Sequence, residues 1–199
     1  ISNNSGYSTG GLIGFLVGKN YSFYNVVNYK DVEGYTSYVG GIVGYTTTYG
    51  DMNKVTNLGN ITVLNSSGYV GGLIGYVGSA SSTDSFIECS NYGNIKGGTS
   101  IGGLVGDSSV GISVVSSINK GNIETTFNNS VCAGGLFGRV TTCNQIEKVY
   151  NSGNIIVDTG TGSAYGIYVG GLIGEVTSTM NSLGKNVYNS GNIKVNTKC

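Results

Sequence analysis

Two short motifs alternate along the whole 199-residue chain, and this repetition constrains its fold more than any other feature. The first motif reads GGLIG or a close variant, and its copies begin at Gly10, Gly40, Gly71, Gly102, Gly134 and Gly170. The second motif reads N-x-G-N-I, with a degenerate first copy NYKDV, and its copies begin at Asn28, Asn57, Asn91, Asn119, Asn151 and Asn189. Successive double glycines are 30 to 36 residues apart, so residues 1–199 are predicted to form a single repeat array.

The composition favours strands over helices. The β-branched residues Val and Ile number 22 and 17 against 9 Leu, and the chain contains no Pro. A period of about 30 residues without helix signals is typical of one coil of a β-solenoid. The sequence therefore predicts an all-β fold, a parallel β-solenoid (β-helix) of about six coils with about 30–36 residues per coil. Equivalent residues of successive coils would stack about 4.8 Å apart, so each position of the repeat would form a ladder.

Three positions of the repeat are apolar in most copies and are predicted to face the interior. The core ladder, four residues after the motif Asn, comprises Val32, Ile61, Ile95, Ile123, Ile155 and Ile193. The column two residues before the motif Asn comprises Val26, Val55, Cys89, Ser117, Val149 and Val187. The third column comprises Leu12, Ile42, Leu73, Leu104, Leu136 and Leu172. The residue after each of these, from Ile13 to Ile173, is also apolar, so either a bend at the following Gly turns both columns inward or one column faces outward as a partner surface.

The N-x-G-N segment is predicted to form a corner of the coil, because Asn and Gly both tolerate positive φ. Its first residue forms the structural corner ladder Asn28, Asn57, Asn91, Asn119, Asn151 and Asn189, whose amides are placed to hydrogen bond along the stack. The double glycine is interpreted as a tight bend or a close backbone approach. It is not followed by the Lys and Ser or Thr of a phosphate-binding loop, so no nucleotide cofactor is expected.

The alternation of GGLIG or GGLVG with YNSGNI resembles the GLUG-motif repeat of streptococcal immunoglobulin A peptidases and other large bacterial surface proteins. The resemblance extends from Gly10 to Ile193 and departs most in the first copy, at Lys30, Asp31 and Glu33. It implies an extracellular, cell-wall or cell-surface setting, with the repeats as a non-catalytic part of a larger protein, so the chain is expected to be a fragment of a longer one. The resemblance carries no catalytic residues.

The residue types needed for catalysis or metal binding are poorly represented. There is no His, which removes the usual general base and zinc ligand, and the Cys spacing fits no zinc site. Asp31 and Glu33 are the only acids close together on one strand face, and they are interpreted as a solvated edge. Asp107, Arg139 and Glu175 share a column and are expected to form surface ion pairs. No catalytic, cofactor-binding or metal-binding residues are therefore predicted.

The cysteines and glycosylation sequons leave alternatives open. Cys89 lies in an interior column and is expected to be a buried free thiol, whereas Cys132 shares a column with Tyr residues that suggests an exposed edge. Four cysteines, including Cys199, allow three full pairings, and a bridge between Cys132 and Cys143, which straddle one strand, is the candidate disulfide. The sequons, at about the number expected by chance, permit glycosylation at Asn3, Asn20, Asn60, Asn65 and Asn128.

The charge balance and the repeat together define the functional expectation. Ten basic and ten acidic residues argue against nucleic-acid binding, and no apolar run is long enough to span a membrane. We expect a non-enzymatic structural and adhesive module of a secreted or cell-surface protein, which binds a host protein or glycan through faces rich in Tyr, Ser, Thr and Asn. The alternatives are a subunit of an extracellular filament and a polysaccharide-active β-helix. The solenoid ends are expected to pair with flanking repeats or like subunits, because their strand edges would be open.

Overall fold

A computed structural model describes residues 7–18, 20–35, 37–48, 50–64, 68–78, 84–127, 130–160 and 166–197. Within these ranges the regular structure consists of parallel β-strands without a helix, and each repeat supplies four or five of them. The predicted all-β parallel solenoid is therefore confirmed. In the first repeat the strands are β1 (Ser8–Gly10), β2 (Ile13–Leu16), β3 (Tyr21–Tyr24), β4 (Val27–Asn28) and β5 (Val32–Gly34).

The next two repeats follow the same order. The second contains β6 (Ser37–Gly40), β7 (Val43–Thr46), β8 (Gly50–Asn53), β9 (Thr56–Asn57) and β10 (Ile61–Val63). The third contains β11 (Gly68–Gly71), β12 (Ile74–Val77), β13 (Asp84–Ile87), β14 (Ser90–Asn91) and β15 (Ile95–Lys96).

In the last three repeats the second and third strands merge into one long strand. The fourth contains β16 (Ser100–Gly102), β17 (Val105–Val115), β18 (Ile118–Asn119) and β19 (Ile123–Thr126). The fifth contains β20 (Val131–Gly134), β21 (Phe137–Glu147), β22 (Val149–Asn151) and β23 (Ile155–Thr159). The sixth contains β24 (Ile167–Gly170), β25 (Ile173–Met180), β26 (Val187–Asn189) and β27 (Ile193–Thr197).

Four parallel sheets run along the solenoid, and each repeat visits them in turn. Sheet 1 has the order β1-β6-β11-β16-β20-β24, and sheet 2 contains the nine strands that follow the double glycines. Sheet 3 has the order β4-β9-β14-β18-β22-β26, and sheet 4 has the order β5-β10-β15-β19-β23-β27. Equivalent residues pair directly, as Ile61 does with Ile95 and Ile123 with Ile155, so the repeat columns are physical ladders.

Only the central repeats are fully enclosed. In the third apolar column, Ile42, Leu73, Leu104 and Leu136 are fully buried, whereas Leu12 is 52% exposed and Leu172 is partly exposed. In the core ladder Ile193 is 45% exposed for the same reason, since no repeat covers it. The solenoid therefore has about four enclosed turns, slightly fewer than the predicted six coils, although six repeats contribute strands.

The interior holds two hydrophobic clusters. One lies between sheets 2 and 3 and includes Leu73, Ile74 and Val55. The other lies between sheets 1 and 4 and includes Val70 and the central members of the core ladder. Leu73 and its successor Ile74 both point inward because the chain bends at the second glycine and the Leu. At this bend the N–H groups of Leu73 and Ile74 both donate to the Leu104 carbonyl, at 2.8 and 3.0 Å. The bend thus lies before this pair rather than at the glycine after it, and neither apolar column is a partner surface.

Candidate binding site

The motif asparagines form a continuous ladder of side-chain amides along the solenoid. Each Nδ2 donates to the Oδ1 of the equivalent Asn in the next repeat, at 2.7 to 2.8 Å, from Asn28 to Asn189. Each Nδ2 also donates to the backbone carbonyl two residues later, as Asn91 does to Gly93 at 2.8 Å. Four of the six side chains are completely buried, and their amides are satisfied within the described chain. The ladder is a structural element, not a ligand site.

The double glycine makes room for this ladder. A Cβ added to Gly41 or Gly72, the second glycine of its motif, would lie 2.5 Å from the Cγ of Asn57 or Asn91, the motif Asn of the same repeat. The same Cβ would also collide with the backbone carbonyl of the second glycine in the next repeat. The two motifs of each repeat therefore pack against each other, which explains why they occur together.

The N-x-G-N segment is a corner, as predicted, because it connects each strand of sheet 3 to the next strand of sheet 4. It does not, however, have the positive φ values on which the prediction was based. A positive φ recurs instead three positions before each motif Asn, at Asn25, Lys54, Glu88, Ser116, Lys148 and Asn186. The glycine of N-x-G-N has a negative or extended φ, and it is required for a different reason. A Cβ on Gly93 would press on the carbonyl oxygen of Gly59 in the preceding repeat.

An aromatic cluster lies outside the core, where sheets 1 and 2 approach each other. The bend at the double glycine brings Tyr38 and Tyr69 of sheet 1 against Tyr45 and Tyr76 of sheet 2. The ring centroids of Tyr38 and Tyr76 are 5.1 Å apart and stacked, those of Tyr38 and Tyr45 are 4.9 Å apart, and Phe15 extends the stack from Tyr45 at 4.8 Å. Such pairs stabilise beyond their buried area by about 0.5–1.5 kcal/mol each. We call these five residues the aromatic cluster.

Charged residues replace the rings in the later repeats. Asp107 and Arg139 follow Tyr76 in its column, and Arg139 Nε donates to Asp107 Oδ2 at 2.8 Å. The Arg139 guanidinium also lies 5.6 Å from the centre of the Tyr69 ring, within cation–π range. Asp107 is only 3% exposed, so the acidic half of the ion pair expected at the surface is instead buried, whereas Arg139 stays partly exposed. Glu175 does not pair with Arg139 as expected and instead accepts a 3.3 Å hydrogen bond from Cys132 Sγ.

Burial and neighbouring charges together set the pKa values of Asp107, Arg139 and Cys132. Burial raises the pKa of Asp107, against the opposing hydrogen bond and charge of Arg139. Burial would lower the pKa of Arg139, but the Asp107 carboxylate holds it above its usual value, so this side chain stays cationic. Burial and the neighbouring Glu175 raise the pKa of the Cys132 thiol to about 12. The Cys132 thiol is therefore protonated and unreactive at neutral pH.

A pocket of about 270 Å³ opens beside this ion pair. Its lining comprises Tyr69, Thr99, Ser100, Phe127, Ser130, Cys132 and Arg139. The pocket exists because Ser100 occupies the position that Tyr38 and Tyr69 hold in the preceding repeats, so a small side chain stands where a ring would fill the space. Its lining combines the aromatic side chains of Tyr69 and Phe127 with side-chain hydroxyl groups and the Arg139 guanidinium, which are residue types that hold a polyhydroxylated ligand. We call it the Tyr69 pocket.

A second groove, of about 400 Å³, lies on the outer face of sheet 4. Its lining comprises Asp31, Asn60, Ile61, Thr62, Asn94, Ile95, Lys96, Asn122 and Glu124. The second Asn of each N-x-G-N accepts a hydrogen bond from the equivalent backbone N–H of the next repeat, as Asn94 Oδ1 does from Asn122 N at 2.9 Å. Lys96 and Glu124 form an exposed ion pair at 3.4 Å, which contributes little. This groove has no aromatic platform and is the weaker candidate.

The predicted disulfide is absent, and the predicted exposure of one cysteine is wrong. Cys89, Cys132 and Cys143 are free and buried, while Cys199 lies outside the described residues. Cys132 is 7% exposed in the Tyr69 pocket, whereas Cys143 belongs to the cluster between sheets 2 and 3. Cys132 thus lines a surface pocket and Cys143 lies in the interior, so the two thiols do not bridge.

The remaining predicted positions are dispersed. Asp31 and Glu33 are exposed, and Asp31 Oδ1 accepts from the Asn60 N–H at 2.7 Å, as the second Asn does in later repeats. Asn20 and Asn60 are exposed, whereas the sequons at Asn3, Asn65 and Asn128 lie outside the described residues. Among the described residues, no three His, Cys, Asp or Glu side chains come together as a metal site. The described part of the chain also has no helix that could cross a membrane.

No family model, curated protein or solved structure matches this chain.

The sequence does not predict the aromatic cluster. Its two columns appear in the sequence as Tyr residues spaced 31 apart, at Tyr38 and Tyr69 and at Tyr45 and Tyr76. The contact between the two columns depends on the bend between sheets 1 and 2.

Proposed function

We propose that the chain is a non-enzymatic structural and adhesive module of an extracellular or cell-surface protein, and that it binds a glycan partner at the Tyr69 pocket. The observation that carries the proposal is the position of Arg139, which lies over Tyr69 and is held there by Asp107 at the mouth of an aromatic pocket. A rigid solenoid presents this group without a conformational change, which limits the entropic cost of binding.

The chemistry of the pocket supports a neutral sugar. Sugar rings carry apolar C–H faces that pack on aromatic rings and hydroxyls that pair with side-chain donors and acceptors. The charge of Arg139 is already compensated by Asp107, and Glu175 adds a further acidic group close by. An anionic sugar would therefore meet no uncompensated cation, so the proposed ligand is a neutral hexose-containing glycan.

The extracellular setting rests on the resemblance of the repeats to GLUG-motif arrays, together with a surface rich in uncharged polar groups. The non-enzymatic assignment rests on the placement of the acidic residues. Asp31 is engaged with the backbone of Asn60, and Asp107 is paired with Arg139, so neither forms the opposed carboxylate pair that glycoside hydrolysis needs.

The proposal is tested by titrating the purified protein with neutral oligosaccharides and following heat release and protein NMR shifts. We expect binding in the micromolar to millimolar range, weakened at least tenfold by Tyr69→Ala and by Phe127→Ala. Tyr150→Ala is the matched control, because Tyr150 stacks on Tyr188 at 5.2 Å in sheet 3, away from the pocket. Binding that is unaffected by both pocket variants, or the absence of binding across a panel of neutral glycans, would contradict the proposal.

The same preparation distinguishes the enzymatic alternative. A binding module leaves the oligosaccharide intact, so no new reducing ends or unsaturated products should appear on prolonged incubation. Turnover that is lost in Asp31→Asn or in Glu33→Gln would instead support a polysaccharide-active β-helix.

A further inference from the structure

The third position of the corner motif is one at which the first repeat differs from all the others. The third residue of the N-x-G-N motif forms the column Lys30, Gly59, Gly93, Gly121, Gly153 and Gly191. A Cβ added to any of these glycines would collide with the carbonyl oxygen of the preceding residue of the column, on the N-terminal side. Gly59 faces the Lys30 carbonyl in this way, and Gly191 faces the Gly153 carbonyl. A residue with a Cβ is therefore tolerated in this column only where no coil lies beneath it in register.

The two ends of the solenoid otherwise match each other. At the C-terminal end the edges of the four sheets have no partner strand among the described residues, and Ile193 and Val195 are 45% and 41% exposed. Asn189 Nδ2 uses one hydrogen for the Gly191 carbonyl, and its other hydrogen meets no acceptor in the described chain. At the N-terminal end, among the residues that the structure describes, Asn28 Oδ1 accepts only a 3.2 Å bond from Lys30 N–H.

Head-to-tail stacking of two copies would continue this pattern. The Nδ2 of Asn189 would donate to Oδ1 of the second copy's Asn28, in the polarity of the existing ladder. Glu33 and Lys194 occupy the same column, so opposite charges would meet across the junction. These features are the basis for expecting like subunits to stack.

We propose that Lys30 is a steric block that prevents the N-terminal end of one copy from stacking in register on the C-terminal end of another. In such a junction Lys30 of the second copy would stack on Gly191 of the first copy, as Gly191 stacks on Gly153 within one chain. The Cβ of Lys30 would then press on the Gly191 carbonyl of the first copy. Because the overlap is with a backbone carbonyl, it can be relieved only by a shift of the backbone. Such a shift would break the hydrogen bonds of sheets 3 and 4 on either side of the corner. The block acts through the Cβ and not through the charge of the side chain.

The test compares the mass of the chain in solution across variants at Lys30. Wild type should remain monomeric in light scattering and sedimentation at all concentrations, because the block is present. Lys30→Gly restores the pattern of the other repeats and should at least double the average mass at high concentration. Lys30→Ala removes the charge but keeps the Cβ, so it should stay monomeric.

Two further variants fix the geometry of the association. Lys30→Gly combined with Ile193→Lys should return to the monomer, because the added charge lies on the opposing C-terminal face. Lys120→Gly removes the same charge from another corner and should leave the mass unchanged. Circular dichroism confirms that each variant is folded. A monomeric Lys30→Gly, an associating Lys30→Ala, or a wild-type chain whose association is abolished by Ile193→Lys would each overturn the proposal.

Discussion

Gly72 and Asn91 are in direct contact across the solenoid, although 18 residues of chain separate them. A Cβ on Gly72 would lie 2.5 Å from Asn91 Cγ, which is much closer than two non-bonded carbon atoms can approach. The double glycine of a repeat and its motif Asn are therefore two halves of one packing arrangement. Each holds the other in place, and the amide ladder depends on both.

Gly72→Ala should destabilise the whole array. The added methyl group must displace either the Asn91 side chain or the Gly103 carbonyl, and overpacking of this kind costs about 1–3 kcal/mol. Since 1 kcal/mol corresponds to about 2–4 °C for a chain of this size, the midpoint of a circular-dichroism melt should fall by about 5 °C. Gly184→Ala is the control, because its nearest neighbour would be the Ile146 carbonyl at 3.1 Å at an exposed position. Equal midpoints for the two variants would contradict the packing argument.

Asn119→Asp should break the ladder at its centre. Asn119 Nδ2 donates to the Gly121 carbonyl at 2.8 Å and to Asn151 Oδ1 at 2.7 Å, and the side chain is completely buried. A carboxylate cannot donate these bonds and would face an acceptor oxygen, so we expect a loss of about 2–5 kcal/mol in unfolding free energy. Urea denaturation measures it. Asn122→Asp, which makes the same change in the exposed outer column, should cost far less.

Ile123→Asp tests the direction of the core ladder. Ile123 is fully buried between Ile95 and Ile155, so the variant would place a charge without a partner in the cluster between sheets 1 and 4. The expected cost is several kcal/mol, which is enough to unfold the central repeats. Ile156→Asp is the control, because Ile156 follows Ile155 of the same ladder and is 37% exposed on the outer face, so this variant should leave the melt nearly unchanged. A wild-type melt for Ile123→Asp would mean that this column does not face the interior.

The sequence predicts the ladders well because the repeat period converts directly into neighbours on adjacent strands. Ile61, Ile95 and Ile123 pair in the register that their alignment gives. The asparagine ladder follows from the same alignment. This success depends on position within the repeat and needs no knowledge of how the coil is shaped.

The shape of the coil is harder to predict because its bends depend on residues without a shared signal. The positive-φ corner is occupied by Lys54 in one repeat and Glu88 in another, neither of which is a typical turn residue. The contact of Tyr69 with Tyr76 needs the bend at the double glycine, and the pocket needs Ser100 in a column that otherwise carries Tyr. Differences between repeats, not their shared features, therefore define the candidate site.

The segment between the two motifs varies in length, and there the alignment fails to predict burial. Asp84 lies in this segment, aligned with Gly50 and Ile112 on the neighbouring strands, and it is fully buried. Its Oδ1 accepts a 2.7 Å hydrogen bond from Gly50 N–H, while Oδ2 has no partner in the described chain. No sequence pattern marked this acid as an interior residue.

The buried carboxyl of Asp84 should make stability depend on pH. Burial raises its pKa to about 7, with a smaller contribution from Asp51 that adds to the effect and a Gly50 hydrogen bond that opposes it, whereas an unfolded aspartate titrates near 3.9. The folded chain therefore binds this proton more tightly, so the stabilisation is complete below about pH 4 and is lost as the pH rises through about 7. Asp84→Asn keeps the acceptor for Gly50 and carries no charge, so its melting temperature should exceed that of wild type at pH 8 and approach it at pH 5. Glu33→Gln removes an exposed carboxylate of strand β5, in another sheet, and is the control. Parallel wild-type and Asp84→Asn profiles between pH 5 and 8 would show that Asp84 is ionised in the folded protein.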